Sequence, residues 1–266
     1  MREGARISYK GNNRSKRKSK NKKIYVVLFL ILILIFFIST IVAIKWYFAT
    51  NKTKKVNNDI ISKAIKVDDI NAVKAKELEI DFSTLLEMND QVVGWIKIDE
   101  TQINYPIVKG DDNSYYLNHD ILKESSQNGW IFIDYRNNSD FSDNNTVIYG
   151  HNIKSGIMFS DLTQIYNGKV NNDIYIYLKT GEVNRYSIYS CYMDKPDEES
   201  INTKIADTNL TSYMNKMKER SIRKYNVNIV LEKNITLSTC DSSGKKRIIV
   251  HGLRQKDGKK IIRKSE

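Results

Sequence analysis

Two cysteines and two prolines are all that 266 residues provide. So few cysteines cannot build the disulfide framework of a small secreted fold, and a chain of this length has enough apolar content to form a core without one. A single Cys191–Cys240 bridge is the only pairing open, and it is the lesser alternative to free thiols. No Cys-x-x-Cys and no Cys/His cluster with zinc spacing occurs, which argues against a zinc site; no metal or organic cofactor is expected. With Pro106 and Pro196 alone there is no proline-rich linker. Histidine is scarce too: any imidazole chemistry falls on His119, His151 or His251. Internal repeats are absent.

Acidic residues are few relative to basic ones, and the formal net charge is +12. That excess is local. Residues 2–23 carry ten Lys or Arg against one acid, Glu3. A nucleic-acid ligand would need the charge on the folded part, so no nucleic-acid partner is expected. The tail should be disordered, being basic and poor in apolar residues. The adjoining segment gives the tail its purpose. Ile24 to Ile44 contains no charged residue. At 1.5 Å rise per residue the stretch spans about 30 Å, the thickness of a bilayer's hydrocarbon core. A cleaved signal peptide usually has a shorter apolar region and a small-residue cleavage site, which this stretch lacks. The expectation is an uncleaved, single-pass signal anchor, with residues 1–23 cytoplasmic and the rest outside by the positive-inside rule. Beyond it come a polar stalk over 45–59, a folded domain over 60–254 and a basic tail over 255–266.

Within that domain, Ile61, Ala64, Ile65, Ala72, Val73 and Leu78 suggest one or two amphipathic helices. Asp81-Phe-Ser-Thr84 reads as a helix start. From Val92 the texture turns to short strands: Val93–Ile98, Ile103–Val108, Gly129–Asp134, Thr146–Tyr149, Asp173–Leu178, Asn184–Tyr192 and Asn226–Leu231. With a terminal hairpin this makes seven to nine strands, a mainly β barrel or sandwich. One helix interrupts, with Leu210, Tyr213, Met214, Met217 and Tyr225 approximating one apolar stripe.

The chemistry gathers in the hairpin. Ile235 to Thr239 alternates apolar and polar residues, Asp241–Gly244 is a turn cluster, and Arg247–His251 returns. Thr236, Ser238 and Cys240 share one face. The turn sets a thiol beside a permanent cation, which favours thiolate and can stabilise a developing oxyanion. A nucleophilic thiol also needs a proton partner. His151, after the run Thr146-Val-Ile-Tyr-Gly150, is the foremost candidate; His251, on the face of Arg247, is not excluded by periodicity; His119 sits in a polar stretch. Singly, Cys240 and Arg247 are each the kind of residue that usually serves structure, and the residues alone leave the matter about even.

The motifs go further. Thr236-Leu-Ser-Thr-Cys240 followed by Arg247-Ile-Ile-Val250, with Tyr149-Gly-His-Asn152 about ninety residues upstream, resembles a sortase, a membrane-anchored cysteine transpeptidase. DFSTLLEMNDQVVGWIKI, GWIFIDYRN and YGHNIKSGIMFSDL are similar to segments of class B. The resemblance covers about 60–254. It implies a closed eight-stranded β-barrel with N-terminal helices and a helical insertion before the cysteine strand. It makes Cys240 the nucleophile, His151 its partner and Arg247 the oxyanion cation, with Ser238, Asn113 and Leu117 at the substrate groove. The implied partners are secreted proteins bearing a C-terminal sorting signal, cleaved after Thr, and a peptidoglycan cross-bridge amine or its lipid-linked precursor. A cysteine hydrolase, with water as acceptor, and a non-catalytic surface-binding protein anchored in the membrane are the competing readings.

Overall fold

The computed structural model describes residues 14–65, 78–240 and 245–256, with 14–21 and Cys240 by their backbone alone. The chain divides into two compact units, 1–48 and 49–266.

Helix α1, Arg14–Ala64, supplies the first unit and the start of the second. Among the described residues it is the one helix long and apolar enough to cross a membrane. Ile24, Phe29, Leu32 and Phe36 along it are exposed to the surroundings. Residues 14–23, read as disordered, are helical instead. Lys and Arg are good helix formers, so a basic run joined to an apolar helix extends it; residues 1–13 lie outside the described residues. The stretch 45–59 is also helical. Asn57 there donates to Asn104 O (3.2 Å), and Ile60 and Ala64 are buried in the second unit's core. The remaining helix expected near Ala72 and Val73 falls on residues that are not described. Helix α2, Phe82–Met88, begins as the sequence indicates: Asp81 caps it by accepting from Ser83 N and Thr84 N, and Phe82 and Leu85 turn inward.

The second unit is built on nine strands: β1 Val92–Ile98, β2 Asn104–Val108, β3 Phe132–Ile133, β4 Asn145–Ile153, β5 Ile157–Met158, β6 Ile174–Leu178, β7 Val183–Asp194, β8 Asn234–Cys240 and β9 Arg247–Arg254. They lie in the order β3-β2-β1-β6-β7-β9-β8-β4-β5, and β3 also pairs with β4. That pairing closes an eight-stranded barrel, with β5 an outlying hairpin partner of β4. Two pairings are parallel, β2 with β3 and β4 with β8.

Strand alternation divides β8 and β9 between two cores. Ile235, Leu237, Ile248 and Val250 belong to the main core inside the barrel. A short helix α3, Leu162–Tyr166, lies between β5 and β6. Ile249 and Leu253 belong to a second cluster on the other face, with Tyr189, Tyr192 and four residues of helix α4, Asp207–Glu219. Leu210, Tyr213, Met214 and Met217 are the buried stripe of that helix; Tyr225 lies past its end. Asn226–Leu231 is not a strand. It keeps a two-residue alternation, Val227 and Ile229 packing on the second cluster while Val230 and Leu231 are exposed. The eight barrel strands pair with one another, so the barrel wall offers it no partner. The Asp241–Gly244 turn lies outside the described residues.

Candidate active site

The sequence anticipated β4 as ending at Gly150. It runs on to Ile153, so His151 sits on the strand rather than beyond it. Gly150 is there for space: a Cβ would run into the Ile131 side chain and lie 2.8 Å from Phe159 Cγ. Phe159 N donates to His151 O at 2.9 Å, fixing the strand on its other side.

The parallel ladder between β4 and β8 pairs Tyr149 with Ser238 and His151 with Cys240. Neighbouring strands run about 4.8 Å apart, so the imidazole and the cysteine start from adjacent backbone positions. On the other side of β8, the antiparallel ladder pairs Thr236 with His251 and Ser238 with Ile249. Continued by two residues, that register sets Arg247 opposite position 240. Arg247 is half-buried and lies close enough to act electrostatically on the Tyr149 phenol. The β8–β9 hairpin and the sequence-distant β4 therefore bring the backbone positions of His151, Cys240 and Arg247 to one stretch of the barrel wall.

The other expected site residues distribute themselves around this point. Ser238 is fully buried, and its hydroxyl has no hydrogen-bond partner among the described residues. Leu117 ends a 3-10 turn, Tyr115–Leu117, and its carbonyl lies 2.8 Å from His151 Nε2. Asn113 is drawn into a network: its amide donates to Asp134 Oδ2 at 2.9 Å and accepts from Tyr135 N at 3.0 Å.

That network escaped sequence reading. Asp134 is completely buried and accepts from Arg136, from Asn113 and from the Tyr149 hydroxyl at 2.9 Å. Burial works against its charge, but the hydrogen bonds outweigh it and hold the carboxyl below its ordinary range. The Tyr149 phenol is pushed up, first by burial and then by the Asp134 charge beside it. Tyr149 carried a signal: it lies two residues before His151, hence on the same strand face.

The other two histidines lie elsewhere. His251 is fully buried. Its Nδ1 meets Thr236 Oγ1 at 2.9 Å and its Nε2 meets the Tyr192 hydroxyl at 3.1 Å. Because Thr236 donates its hydrogen to Asn145 Oδ1, His251 Nδ1 is the donor to Thr236. Burial, then the positive Arg220, pushes its pKa down to about 3. It is a neutral core histidine. His119 stacks on Tyr115 with ring centroids 4.0 Å apart and bonds to the Tyr115 carbonyl. Cys191 is a free, buried thiol, pushed up to about 12 by burial. Among the described residues no group of His, Cys, Asp and Glu could hold a metal ion.

Comparison with known proteins agrees with the barrel and its motifs. The family described as Sortase domain matches residues 96–255. The chain is 36% identical over 203 residues to the sortase B of Listeria monocytogenes, covering 70% of this chain and 82% of that one. A solved sortase B from Bacillus anthracis superposes with a TM-score of 0.66 at 30% identity, covering 78% of this chain and 98% of that chain. A solved sortase B complexed with triglycine gives 0.61 at 31% identity, covering 66% of this chain and 86% of that chain. With a closed eight-stranded barrel, a family match over more than half its length and relatives of this identity, the chain belongs to the sortase family as a sortase B-type cysteine transpeptidase.

Proposed function

We propose that this transpeptidase cleaves a C-terminal sorting signal of a secreted protein after Thr and joins the new carboxyl end to a cell-wall amine. The Cys240 thiolate attacks the Thr carbonyl carbon. Arg247 stabilises the oxyanion that forms. His151, as imidazolium, gives its proton to the leaving amine as the C–N bond breaks, and a thioacyl-enzyme results. An incoming amine then attacks the thioester, His151 takes its proton, and the thiolate leaves. The register of β4 on β8, with His151 opposite Cys240, is the observation that carries this reading. The sortase B complexed with triglycine supports an oligoglycine-like amine as acceptor, a peptidoglycan cross-bridge or its lipid-linked precursor. Asn113, Leu117 and Ser238 are the groove residues in this proposal.

The apolar segment of α1 anchors the chain in the cell membrane, with its basic start in the cytoplasm and the catalytic unit outside. Substrate and acceptor both emerge at that outer surface, so tethering raises their effective concentration.

The test is covalent capture. Full-length chain in detergent micelles, incubated with a sorting peptide, should gain the mass of the acyl fragment; triglycine should release it as the ligated product. Cys240→Ala should do neither. Undiminished turnover by Cys240→Ala would overturn the assignment. Hydrolysis at an unchanged rate, with no ligated product at saturating triglycine, would make the chain a hydrolase.

A further inference from the structure

A histidine that exchanges protons with a sulfur must itself be held, because ring orientation and tautomer decide which nitrogen faces the reaction. For His151 the structure offers a main-chain carbonyl: Nε2 lies 2.8 Å from Leu117 O. A carbonyl only accepts, so Nε2 carries the hydrogen. Nδ1 is then the nitrogen for proton exchange.

What brings that carbonyl so close is a glycine. Gly129 stands just before Trp130 with φ of +56°, the left-handed region that favours glycine. A Cβ built there would lie 2.5 Å from Tyr116 O, 2.7 Å from Leu117 O and 3.0 Å from His151 Cδ2. Two of these neighbours are backbone carbonyls, which cannot swing aside as a flexible side chain would. The segment is also tied on both sides. Gly129 N donates to Ser126 O at 3.2 Å, and Trp130 N donates to Tyr116 O at 2.9 Å. The 3-10 turn behind Leu117 is closed by Leu117 N on Ser114 O and Asn118 N on Tyr115 O. The turn, the glycine and the ring thus form one stack with no room for a methyl group.

We propose that Gly129 is a positioning residue: by leaving room for the Leu117 carbonyl against His151, it makes that carbonyl the orienting member of the Cys240–His151 pair. This rests on the roles given to Cys240 and His151 above. It assigns the protons. In acylation, Nδ1–H of the imidazolium passes its proton to the leaving amine while the S–C bond forms and the C–N bond breaks. The ring is left neutral with Nε2–H still on Leu117 O. In deacylation Nδ1 takes a proton from the incoming amine while the new C–N bond forms and the S–C bond breaks. The Leu117 contact persists through both steps, so the ring need not turn over between them.

The chain's three histidines make the experiment direct. Full-length protein in detergent micelles, labelled with 15N-histidine, gives three sets of ring signals, and His151→Gln identifies its own by their loss. Neutral His151 should show the Nε2–H tautomer; Nδ1–H would overturn the proposal whatever the variants do. Gly129→Ala, checked for folding by circular dichroism, should lose about 100-fold in kcat, as misplacement of a catalytic group by an ångström does. Its KM for the sorting peptide should stay within about twofold, and its His151 signals should report a mixture of tautomers. A folded Gly129→Ala with wild-type kcat and a pure Nε2–H ring would also overturn it. Should Gly129→Ala fail to fold, the wild-type tautomer decides. Failure of the underlying reading looks different: wild-type protein would form no thioacyl-enzyme, or Cys240→Ala would still turn over.

Discussion

Two histidines flank the same strand. On one side of β8, His151 stands opposite Cys240; on the other, His251 stands opposite Thr236. Their positions along β8 differ by four residues, about 13 Å at the rise of a strand. The neighbourhoods share nothing else. His151 is half-exposed at a rim built from β4, the Leu117 turn and Gly129. His251 is sealed under α4 among Tyr189, Tyr192 and Tyr213, with both ring nitrogens engaged. The same side chain is a proposed reactive group at one end of the strand and packing at the other. Access to solvent and the partners within hydrogen-bond reach decide which.

The largest effect should separate the two by activity. His151→Ala should lower the acyl-transfer rate by about 100- to 10,000-fold, the usual worth of a general acid–base group. Its melting temperature should move little, because the ring is not in the core. His251→Gln should do the reverse, losing about 1–3 kcal/mol for broken buried hydrogen bonds while folded molecules keep their turnover. A His251→Gln enzyme that is stable and inactive would break the comparison.

Acid should sharpen it. His251 has its folded pKa depressed to about 3, whereas an unfolded histidine titrates near 6.5. Between those values the unfolded chain binds the extra proton, so stability is complete above about pH 6.5 and declines as pH falls toward 3. The slope from this one group approaches about 1.4 kcal/mol per pH unit. Denaturant titrations at pH 7 and pH 5 should show the loss, and His251→Gln should show less of it. Asp134 and Asp197, both held below their ordinary values, add their share only at lower pH, as their carboxyls protonate.

The smallest effect lies far from either ring. Asp81→Ala removes the cap of α2 and should cost about 1 kcal/mol in chemical denaturation, with kcat unchanged. A cost several times larger would mean that α2 supports the rim.

Much of this could be read from residue order because much of it is local. The membrane-length helix shows in an uncharged run. The Asp81 cap, the apolar stripe of α4 and the β8–β9 hairpin each depend on residues near one another, and each is present. Where local pattern misled, a nonlocal contact had intervened. Asn226–Leu231 alternates like a strand but is not one: the eight barrel strands already pair with one another, and the segment packs on the second cluster instead. Gly150 looked like a strand end and proved a point of close approach between Ile131 and Phe159.

The sequence by itself determined which residues could do the chemistry: few thiols, few imidazoles and a cation one turn from Cys240. Only the tertiary structure set an imidazole beside Cys240 on the neighbouring strand. His151 meets Cys240 through a parallel pairing between strands some ninety residues apart, and a parallel ladder leaves no turn in the sequence to announce it. His251 is sealed because α4 covers it, and its burial is a property of that contact rather than of its neighbours in the chain.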